Sequence, residues 1–330
     1  MPRNASGCLY GLAFGDALGA DTEFMNVEEI LVKYPPNGPT SLTERPIRVT
    51  DDTQMTIAVG EALHRAGTDL SPATLEKELR KTFLRWFRSP DNDRAPGMTC
   101  LRACDGLEKG WDWRKATIES SKGCGANMRV APVGLLDTDP TTRAAIAQFQ
   151  AALTHGHATG LAAADLTAAA VADLLGGGDL KGLTRRLRDY AHSQREVYHE
   201  EWLGDLWLQP MMKSPAAFIA QGWEECLWRM DDLDAALKNP NREVDPCTLT
   251  GAGWVAEEAF ATGLLCFLLF PDNPIAAIQR AAVSSGDSDS IACLTGAFAG
   301  AHWGLTAWPE EWIANIEYRD QLETLGAYWD

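Results

Sequence analysis

Several features that mark whole classes of proteins are missing from this sequence. No Lys/Arg-rich run appears in its 330 residues, so a general nucleic-acid binder, which needs a basic face, is not expected. None of the 8 cysteines stands in a Cys-x-x-Cys pair, which favours reduced cysteines in a cytosolic protein. The longest apolar run, residues 259–270, is too short to span a bilayer, and the N-terminus lacks the form of a signal peptide. We therefore expect a cytoplasmic protein without a membrane partner.

The composition is that of a folded and strongly acidic protein. Hydrophobic residues make up 45% of the sequence, charged residues make up 23%, and the net charge is −17. An acidic protein binds an anionic ligand only with local help, for which metal ions and helix N-termini are the usual sources.

Helical periodicity dominates the chain, and neither an alternating strand pattern nor an internal repeat is present. The fold is therefore predicted to be all-α, with residues 1–330 forming a single compact domain. Residues 193–250 are irregular and contain several Trp and Pro residues, so we interpret them as an insertion with one or two helices. Helices are predicted at residues 6–20, 53–66, 71–88, 98–109, 141–153, 158–175, 179–192, 252–270, 274–284, 289–303 and 309–328, and loops at 35–48 and 89–97.

The first predicted helix has an unusual face. Gly7, Gly11, Gly15 and Gly19 recur at four-residue spacing, which places them near one face and permits close backbone packing in a crowded core. Asp16 lies within this apolar run, and a buried carboxylate needs a partner.

Two clusters of hydroxyl and carboxylate residues are the strongest functional signal. They are Thr50-Asp51-Asp52 and Asp287-Ser288-Asp289-Ser290. Each cluster opens a predicted helix, where acidic residues also serve as simple caps. Together they would supply oxygen ligands for hard divalent cations, and cations would relieve the repulsion among four clustered carboxylates. From spacing alone, metal binding and capping are about equally supported.

Three weaker signals each have an ordinary structural explanation. His155 and His157 flank a glycine, but without a third ligand nearby they favour substrate contact or core packing over metal binding. The glycine-containing turn at residues 123–128 could offer backbone N–H groups to a phosphate, although most such turns are only turns. Trp254 could stack on a base or simply fill the core.

Taken together, these motifs resemble the ADP-ribosylglycohydrolase family, in particular its bacterial dinitrogenase-reductase-activating branch. They occur in the order of the family and cover residues 6–305. The matching segments are Gly15-Asp16-Ala17-Leu18-Gly19-Ala20-x-x-Glu23-Phe24-Met25, Thr50-Asp51-Asp52-Thr53-x-Met55, Gly123-x-Gly125-Ala126-x-Met128-Arg129, Thr154-His155-x-His157 and Gly286-Asp287-x-Asp289-Ser290.

The resemblance implies an all-α fold whose cleft holds two Mg²⁺ or Mn²⁺ ions. The metal ligands that it implies are Thr50, Asp51, Asp52, Asp287, Asp289 and Ser290, with Ser290 replacing the usual threonine. Glu23 matches an acidic residue beside the metals. The resemblance also implies a set of residues that contact ADP-ribose, with Trp254 against the adenine. They are Gly123, Gly125, Ala126, Asn127, Met128, His155 and Trp254.

One position departs from the family pattern. Members that act on ADP-ribosylated arginine often carry an aspartate before a Gly-x-Thr-Cys loop, but the corresponding residue here is Ala95. Asp93, two residues earlier, is a substitute candidate. The resemblance therefore leaves two candidates for the catalytic carboxylate, Glu23 and Asp93.

The function that the resemblance implies is metal-dependent hydrolysis of the bond between C1″ of ADP-ribose and an acceptor. The expected partner is an ADP-ribosylated protein modified on arginine or serine, and the product is ADP-ribose. ADP-ribosylated nucleic acid and O-acetyl-ADP-ribose are alternative substrates. A non-catalytic ADP-ribose binder, or an immunity protein against an ADP-ribosylating toxin, is the alternative from a different functional class.

Overall fold

The computed structural model describes residues 3–330, and all regular secondary structure in this range is helical. Isolated bridging pairs such as Ile47–Ile316 occur, but no strand forms within the described range. The α-helices, numbered in chain order, are α1 Asn4–Gly19, α2 Val27–Lys33, α3 Asp51–Ala66, α4 Pro72–Phe87, α5 Met98–Glu108, α6 Trp113–Ala116, α7 Ala131–Gly134, α8 Pro140–Ala152, α9 Ala158–Leu175, α10 Leu183–Gln194, α11 Glu200–Leu203, α12 Pro215–Lys238, α13 Cys247–Thr250, α14 Ala256–Leu269, α15 Pro274–Ala282, α16 Ser288–Trp303, α17 Glu310–Asn315 and α18 Arg319–Trp329. Short 3₁₀ helices occupy Cys124–Ala126, Leu180–Gly182 and Leu305–Ala307.

The all-α prediction is confirmed, and most predicted helices agree with observed ones within a few residues. The predicted cap of α4 is present, because the Ser71 side chain accepts the N–H of Thr74. The prediction of one helix at residues 309–328 is wrong. Tyr318 has a left-handed backbone, with φ of 55°, so the helix is interrupted between α17 and α18. Helix α2 was not predicted.

Helices α1 and α16 pack together along the glycine face of α1. A Cβ atom built on Gly7, Gly11, Gly15 or Gly19 would lie within 3.0 Å of backbone atoms of α16 or of Gly304, which immediately follows it. The two backbones are therefore as close as glycine permits. The approach is reciprocal, because a Cβ on Gly296 would overlap the carbonyl group of Gly11. This packing brings two segments that lie far apart in the sequence into contact.

Helix α9 runs through the core. Its 18 residues have a mean hydropathy of 1.4, so by length and composition alone it could cross a membrane. In the structure 78% of this helix is buried, where it packs on α7, α8, α12, α14 and α16. Helix α9 therefore acts here as a core helix.

The segment at residues 193–250 carries three helices, α11, α12 and α13, rather than the expected one or two, because single helical turns form on both sides of α12. Helix α12 buries Phe218, Trp223 and Met230 in the same hydrophobic cluster as the rest of the core. It is thus integrated with α9 and α14, on which it packs. Its interpretation as an insertion relative to other proteins stays a prediction.

We predict that Gly296→Ala destabilises the protein strongly. Overpacking usually costs about 1–3 kcal/mol, and the loss should reach or exceed that range here because the overlapping atoms belong to backbone that cannot rotate away. Gly97→Ala is the matched control, since its new Cβ meets nothing within 4 Å and the backbone of Gly97 suits alanine. Urea denaturation of both variants measures the difference. Equal stabilities would contradict the close packing of α1 and α16.

Candidate active site and metal centre

The contact of α1 with α16 places three carboxylates together. Glu23 lies in the turn after α1, and Asp287 and Asp289 lie at the start of α16. One carboxylate oxygen from each of the three lies within 4.8 Å of those of the other two. Buried Thr22 fixes the turn, because its hydroxyl bonds the carbonyl oxygen of Ala282 at 2.7 Å and approaches the Ser288 hydroxyl at 3.0 Å.

Helix α3 contributes the second group of acidic residues. Asp51 and Asp52 occupy its first turn and are buried, and Thr50 is its N-cap. Asp16 of α1 fixes this helix start, because its carboxylate accepts the N–H of Thr50 at 3.0 Å and that of Thr53 at 3.1 Å. The partner that buried Asp16 requires is therefore the N-terminus of α3. Helix α1 thus positions both acidic clusters.

The electrostatics show that these carboxylates share one site. Burial, followed by the charge of Asp289, raises the pKa of Asp51 and of Asp52 well above the ordinary value of aspartate. The same two causes raise the pKa of Asp287 well above its ordinary value and that of Glu23 to about 9. Like charges held this closely repel one another unless protons or cations neutralise them.

The donor set fits divalent cations. It consists of hard carboxylate and hydroxyl oxygens, the ligands that Mg²⁺ and Mn²⁺ prefer. The Oδ1 atom of Asp52 is buried and accepts no hydrogen bond from residues 3–330, so it is free to act as a ligand. The Ser290 hydroxyl is also buried and lies 4.0 Å from the sulfur of Met128, on the side of the glycine-containing turn.

The turn at residues 123–128 is tied to its surroundings on two sides. The N–H of Cys124 donates to the carbonyl oxygen of Trp254 at 3.1 Å, and the Asn127 amide donates to the carbonyl oxygen of Ala256 at 3.0 Å. From behind, the Gln150 amide donates to the carbonyl oxygen of Ala126 at 2.9 Å. Gly123 and Gly125 are half-buried, so their backbones are the accessible part of the turn.

A buried cation lies beneath this turn. The Arg129 guanidinium is fully buried, donates to Gln150 and to the Thr154 hydroxyl at 2.8 Å, and covers the ring of Phe83. The Thr154 hydroxyl in turn lies 2.8 Å from Nδ1 of His155. His155 is buried behind the turn, and burial together with Arg129 lowers its pKa to about 3, so it is neutral.

Two exposed aromatic residues meet above the carboxylates. The rings of Phe24 and Trp254 stack with centroids 5.4 Å apart and an angle of 19° between them. Phe24 directly follows Glu23, is 70% exposed and has a left-handed backbone. Trp254 is the residue whose carbonyl oxygen holds the turn at residues 123–128. The stack therefore joins the Glu23 turn to the wall that carries Trp254.

The loop at residues 89–97 forms the other border of the site. Arg94 anchors it by pairing through both terminal nitrogens with Glu317, at 2.6 and 2.9 Å. The N–H of Gly97 donates to the Asp51 carboxylate at 3.4 Å. Asp93 has an exposed side chain and lies, with Ala95, in the wall of a cleft of about 930 Å³.

The structure thus brings together Glu23, both acidic clusters and the turn at residues 123–128, and it leaves Asp93 at the border. His155 lies behind the turn, and His157 is the N-cap of α9, where its Nδ1 accepts the N–H of Thr159. The roles of these residues stay predictions.

Sequence reasoning assigned no role to Phe24 or Arg129. For Arg129 a signal existed, because it is a lone cation in an apolar stretch.

The helical fold and the two converging acidic helix starts agree with the comparison of the sequence with protein families. The model of the ADP-ribosylglycohydrolase family matches residues 2–329, and the chain belongs to this family. Members of this class are enzymes, and this protein is an ADP-ribosyl-acceptor hydrolase.

Individual relatives are distant but match along almost the whole chain. The ADP-ribosyl-(dinitrogen reductase) glycohydrolase of Rhodospirillum rubrum is 26% identical over 97% of this chain and 92% of its own. Human ADP-ribosylhydrolase ARH3 is 26% identical over 97% and 90%. The ADP-ribosylarginine hydrolase Tri1 of Serratia proteamaculans is 25% identical over 97% and 77%.

A solved structure described as an ADP-ribosylglycohydrolase-related protein complex superposes on this fold. Its TM-score is 0.66 at 22% sequence identity, and the match covers 99% of this chain and 96% of that one. At this identity the match confirms the fold alone.

We predict that Asp289→Asn has opposite effects with and without cations. Without metal, it removes a charge that raises the pKa of five neighbouring carboxyl groups, so the melting temperature should rise by roughly 2–4 °C. Mg²⁺ or Mn²⁺ at 100 times Kd is expected to stabilise the wild type by about 2.7 kcal/mol, and this stabilisation should disappear in Asp289→Asn.

Thermal unfolding with and without each metal measures both effects. Asp272→Asn is the control, because Asp272 is an exposed aspartate outside the site. An unchanged metal-dependent shift in Asp289→Asn would show that the cations bind elsewhere.

Proposed function

We propose that this protein is a metal-dependent hydrolase that removes ADP-ribose from a modified protein side chain, linked through arginine or serine. The observation that carries the proposal is the convergence of five buried or half-buried carboxylates on one site, with the Oδ1 atom of Asp52 left without a hydrogen bond. Such a site is unfavourable unless protons or cations neutralise it, and a hydrolase of this family has a use for cations.

Two Mg²⁺ or Mn²⁺ ions are the proposed cofactors. The residues that would hold them are Thr50, Asp51, Asp52, Asp287, Asp289 and Ser290. Their four carboxylates and two hydroxyl groups offer more oxygen atoms than the roughly six that one Mg²⁺ takes, which supports a count of two. When bound, the ions would neutralise the carboxylates, hold ribose hydroxyl groups and polarise water.

The ADP-ribose is proposed to lie on the side of the turn at residues 123–128. The accessible backbones of Gly123 and Gly125 would meet the diphosphate, and Arg129 beneath them adds a positive charge in an otherwise acidic protein. Ala126, Asn127 and the neutral His155 would hold the turn in shape, with Met128 at its junction with Ser290. Trp254 remains partly exposed and would take the adenine.

Glu23 is the proposed proton acceptor. In the reaction the oxygen of a water molecule bonds to C1″, the bond from C1″ to the acceptor breaks, and the acceptor leaves with a proton. Positive charge develops on the ribose during this step. Bound cations would offset the charge of Asp289 and so lower the pKa of Glu23 from its value of about 9. Its carboxylate, within 4.8 Å of those of Asp287 and Asp289, could then orient the water and take its proton. The exposed Asp93 is the secondary candidate.

The state of the cysteines supports a cytoplasmic protein, which remains part of the proposal. All eight are free in the structure, and all except the half-buried Cys247 are buried. None is therefore used in a disulfide that would need an oxidising compartment.

We predict that Glu23→Gln lowers turnover by about 10²–10⁴-fold, the usual contribution of a general base. Asp93→Asn should lower it much less, since Asp93 lies at the border of the cleft. Release of ADP-ribose from arginine- and serine-linked peptides measures turnover, and metal content must be measured in parallel because Glu23 is itself a possible ligand. Near-wild-type turnover in Glu23→Gln would exclude it as the base.

We also predict that ADP-ribose stabilises the metal-loaded protein. A ligand that binds only the native state at 100 times its Kd adds about 2.7 kcal/mol, seen as a higher melting temperature. Trp254→Ala should reduce this shift if its ring carries the adenine. Trp228→Ala is the control, since Trp228 is similarly exposed but lies on α12. The absence of any shift in the wild type would contradict ADP-ribose binding.

A further inference from the structure

The cleft of about 930 Å³ borders the carboxylate site but is distinct from the proposed ADP-ribose side. Glu23 and Thr50 belong to its lining, so its inner end opens onto the site. No residue of the turn at 123–128 lines it, and neither do His155 and Trp254, although Phe24, which stacks on Trp254, stands at its edge. The bond that is cleaved has ADP-ribose on one side and the acceptor on the other. The cleft therefore lies where the acceptor must be.

The size of the cleft favours a large acceptor. A volume of about 930 Å³ is at the upper end of the range of ligand pockets, roughly 300–1,000 Å³. An acetyl group or a single amino-acid side chain would leave most of it empty. A stretch of several polypeptide residues would fill it.

One wall of the cleft is a segment whose backbone N–H groups lack partners within the described part of the chain. All residues from Thr40 to Glu44 line the cleft, and none of their five N–H groups has an acceptor among residues 3–330. The wall is nevertheless held in place, because the Gln279 amide donates to the carbonyl oxygen of Thr40 at 2.7 Å and the side chain of Leu42 is buried. An anchored segment with free N–H groups is suited to pairing with an extended peptide.

The charges in the cleft favour a basic peptide over a nucleic acid. Exposed Glu44 and Asp93 line the cleft. Glu44 has no ion pair within residues 3–330, and Asp93 lies 3.8 Å from the Arg94 guanidinium. Of its cations, Arg94 is paired with Glu317, whereas Lys33 and Arg48 keep their charges. The cleft is therefore not uniformly acidic, but four acidic residues line it, Asp21, Glu23, Glu44 and Asp93, and the net charge of −17 adds to the repulsion of phosphate groups.

We propose that this cleft is the acceptor site and that the modified protein binds in it as an extended segment paired with the backbone at residues 40–44. The ADP-ribosylated side chain points past Thr50 toward Glu23, and basic residues flanking it lie near Glu44 and Asp93. This inference rests on the proposed hydrolase function and adds the class of acceptor, a basic stretch of polypeptide.

The test compares two substrates of the same linkage with the metal-loaded, full-length protein. One is an ADP-ribosylated peptide with lysines on both sides of the modified residue, and the other is the free ADP-ribosylated amino acid, each made in arginine- and serine-linked form. The quantity measured is the ratio of kcat/KM for the peptide to kcat/KM for the amino acid. In the wild type this ratio should be roughly tenfold or more, as one or two hydrogen bonds and an ion pair provide.

Two pairs of variants probe the wall and the charge separately. Ser41→Pro removes one N–H group and should lower the ratio by about threefold to tenfold, the effect of one hydrogen bond. Ser41→Ala keeps that N–H and so separates its loss from the loss of the hydroxyl. Glu44→Lys should lower the ratio for the lysine-flanked peptide and raise it for a glutamate-flanked one. Glu28→Lys, on the exposed face of α2 outside the cleft, is its matched control.

The outcomes separate the two levels of the proposal. Two outcomes would show that the acceptor site is wrong while the hydrolase function stands. In the first, wild-type protein releases ADP-ribose but the ratio of the two kcat/KM values is near one. In the second, the ratios of Ser41→Pro and Glu44→Lys equal those of the wild type. Faster release from ADP-ribosylated DNA than from the peptide also overturns the acceptor site. If the wild type releases ADP-ribose from none of these substrates, the proposed function itself is wrong.

Discussion

The close approach of α1 and α16 is the constraint on which the rest of the site depends. Glycines at four-residue spacing let the two backbones touch, and the carboxylates at the ends of these helices meet as a result. Asp16, on the same helix, binds the N-terminus of α3 and so fixes the remaining acidic residues. One helix therefore sets the position of every candidate metal ligand, although its own carboxylate is fully engaged in hydrogen bonds.

The site works against the stability of the fold. Burial and mutual repulsion both raise the pKa values of its carboxylates. Without cations, the folded protein must therefore either bind protons that the unfolded chain does not bind or lose stability to charge repulsion. Buried Arg129 supplies a positive charge beneath the turn at residues 123–128, and it is satisfied by Gln150 and Thr154 with no carboxylate among its hydrogen-bond partners. Its positive field thus remains available to neighbouring anions. Such a balance is usual where function requires a locally unfavourable arrangement.

Much of this arrangement was accessible from the sequence because each piece of it is local. Acidic clusters at helix starts, the glycine spacing of α1 and the cap at Ser71 are all short-range patterns, and the structure contains all three. The break at Tyr318 was missed because helical periodicity continues through it while the backbone does not. The stack of Phe24 on Trp254 and the anchor from Arg94 to Glu317 join residues more than 200 positions apart, so no local pattern reports them. The two histidines also could not be told apart from the sequence, because both flank Gly156. In the structure His155 is buried and His157 caps a helix.

The pairing of α1 with α16 also has a consequence for how the protein is made. Their contacts join residues roughly 270–300 positions apart, and such non-local contacts form late because a long loop must close first. During synthesis the N-terminal helix emerges with its glycine face uncovered and its first acidic partner, α3, already present. Until α16 follows, Asp287 and Asp289 are absent, so the five carboxylates cannot converge on one site. A nascent chain would therefore lack the helix that covers its apolar first helix, which would be open to chaperones or to aggregation.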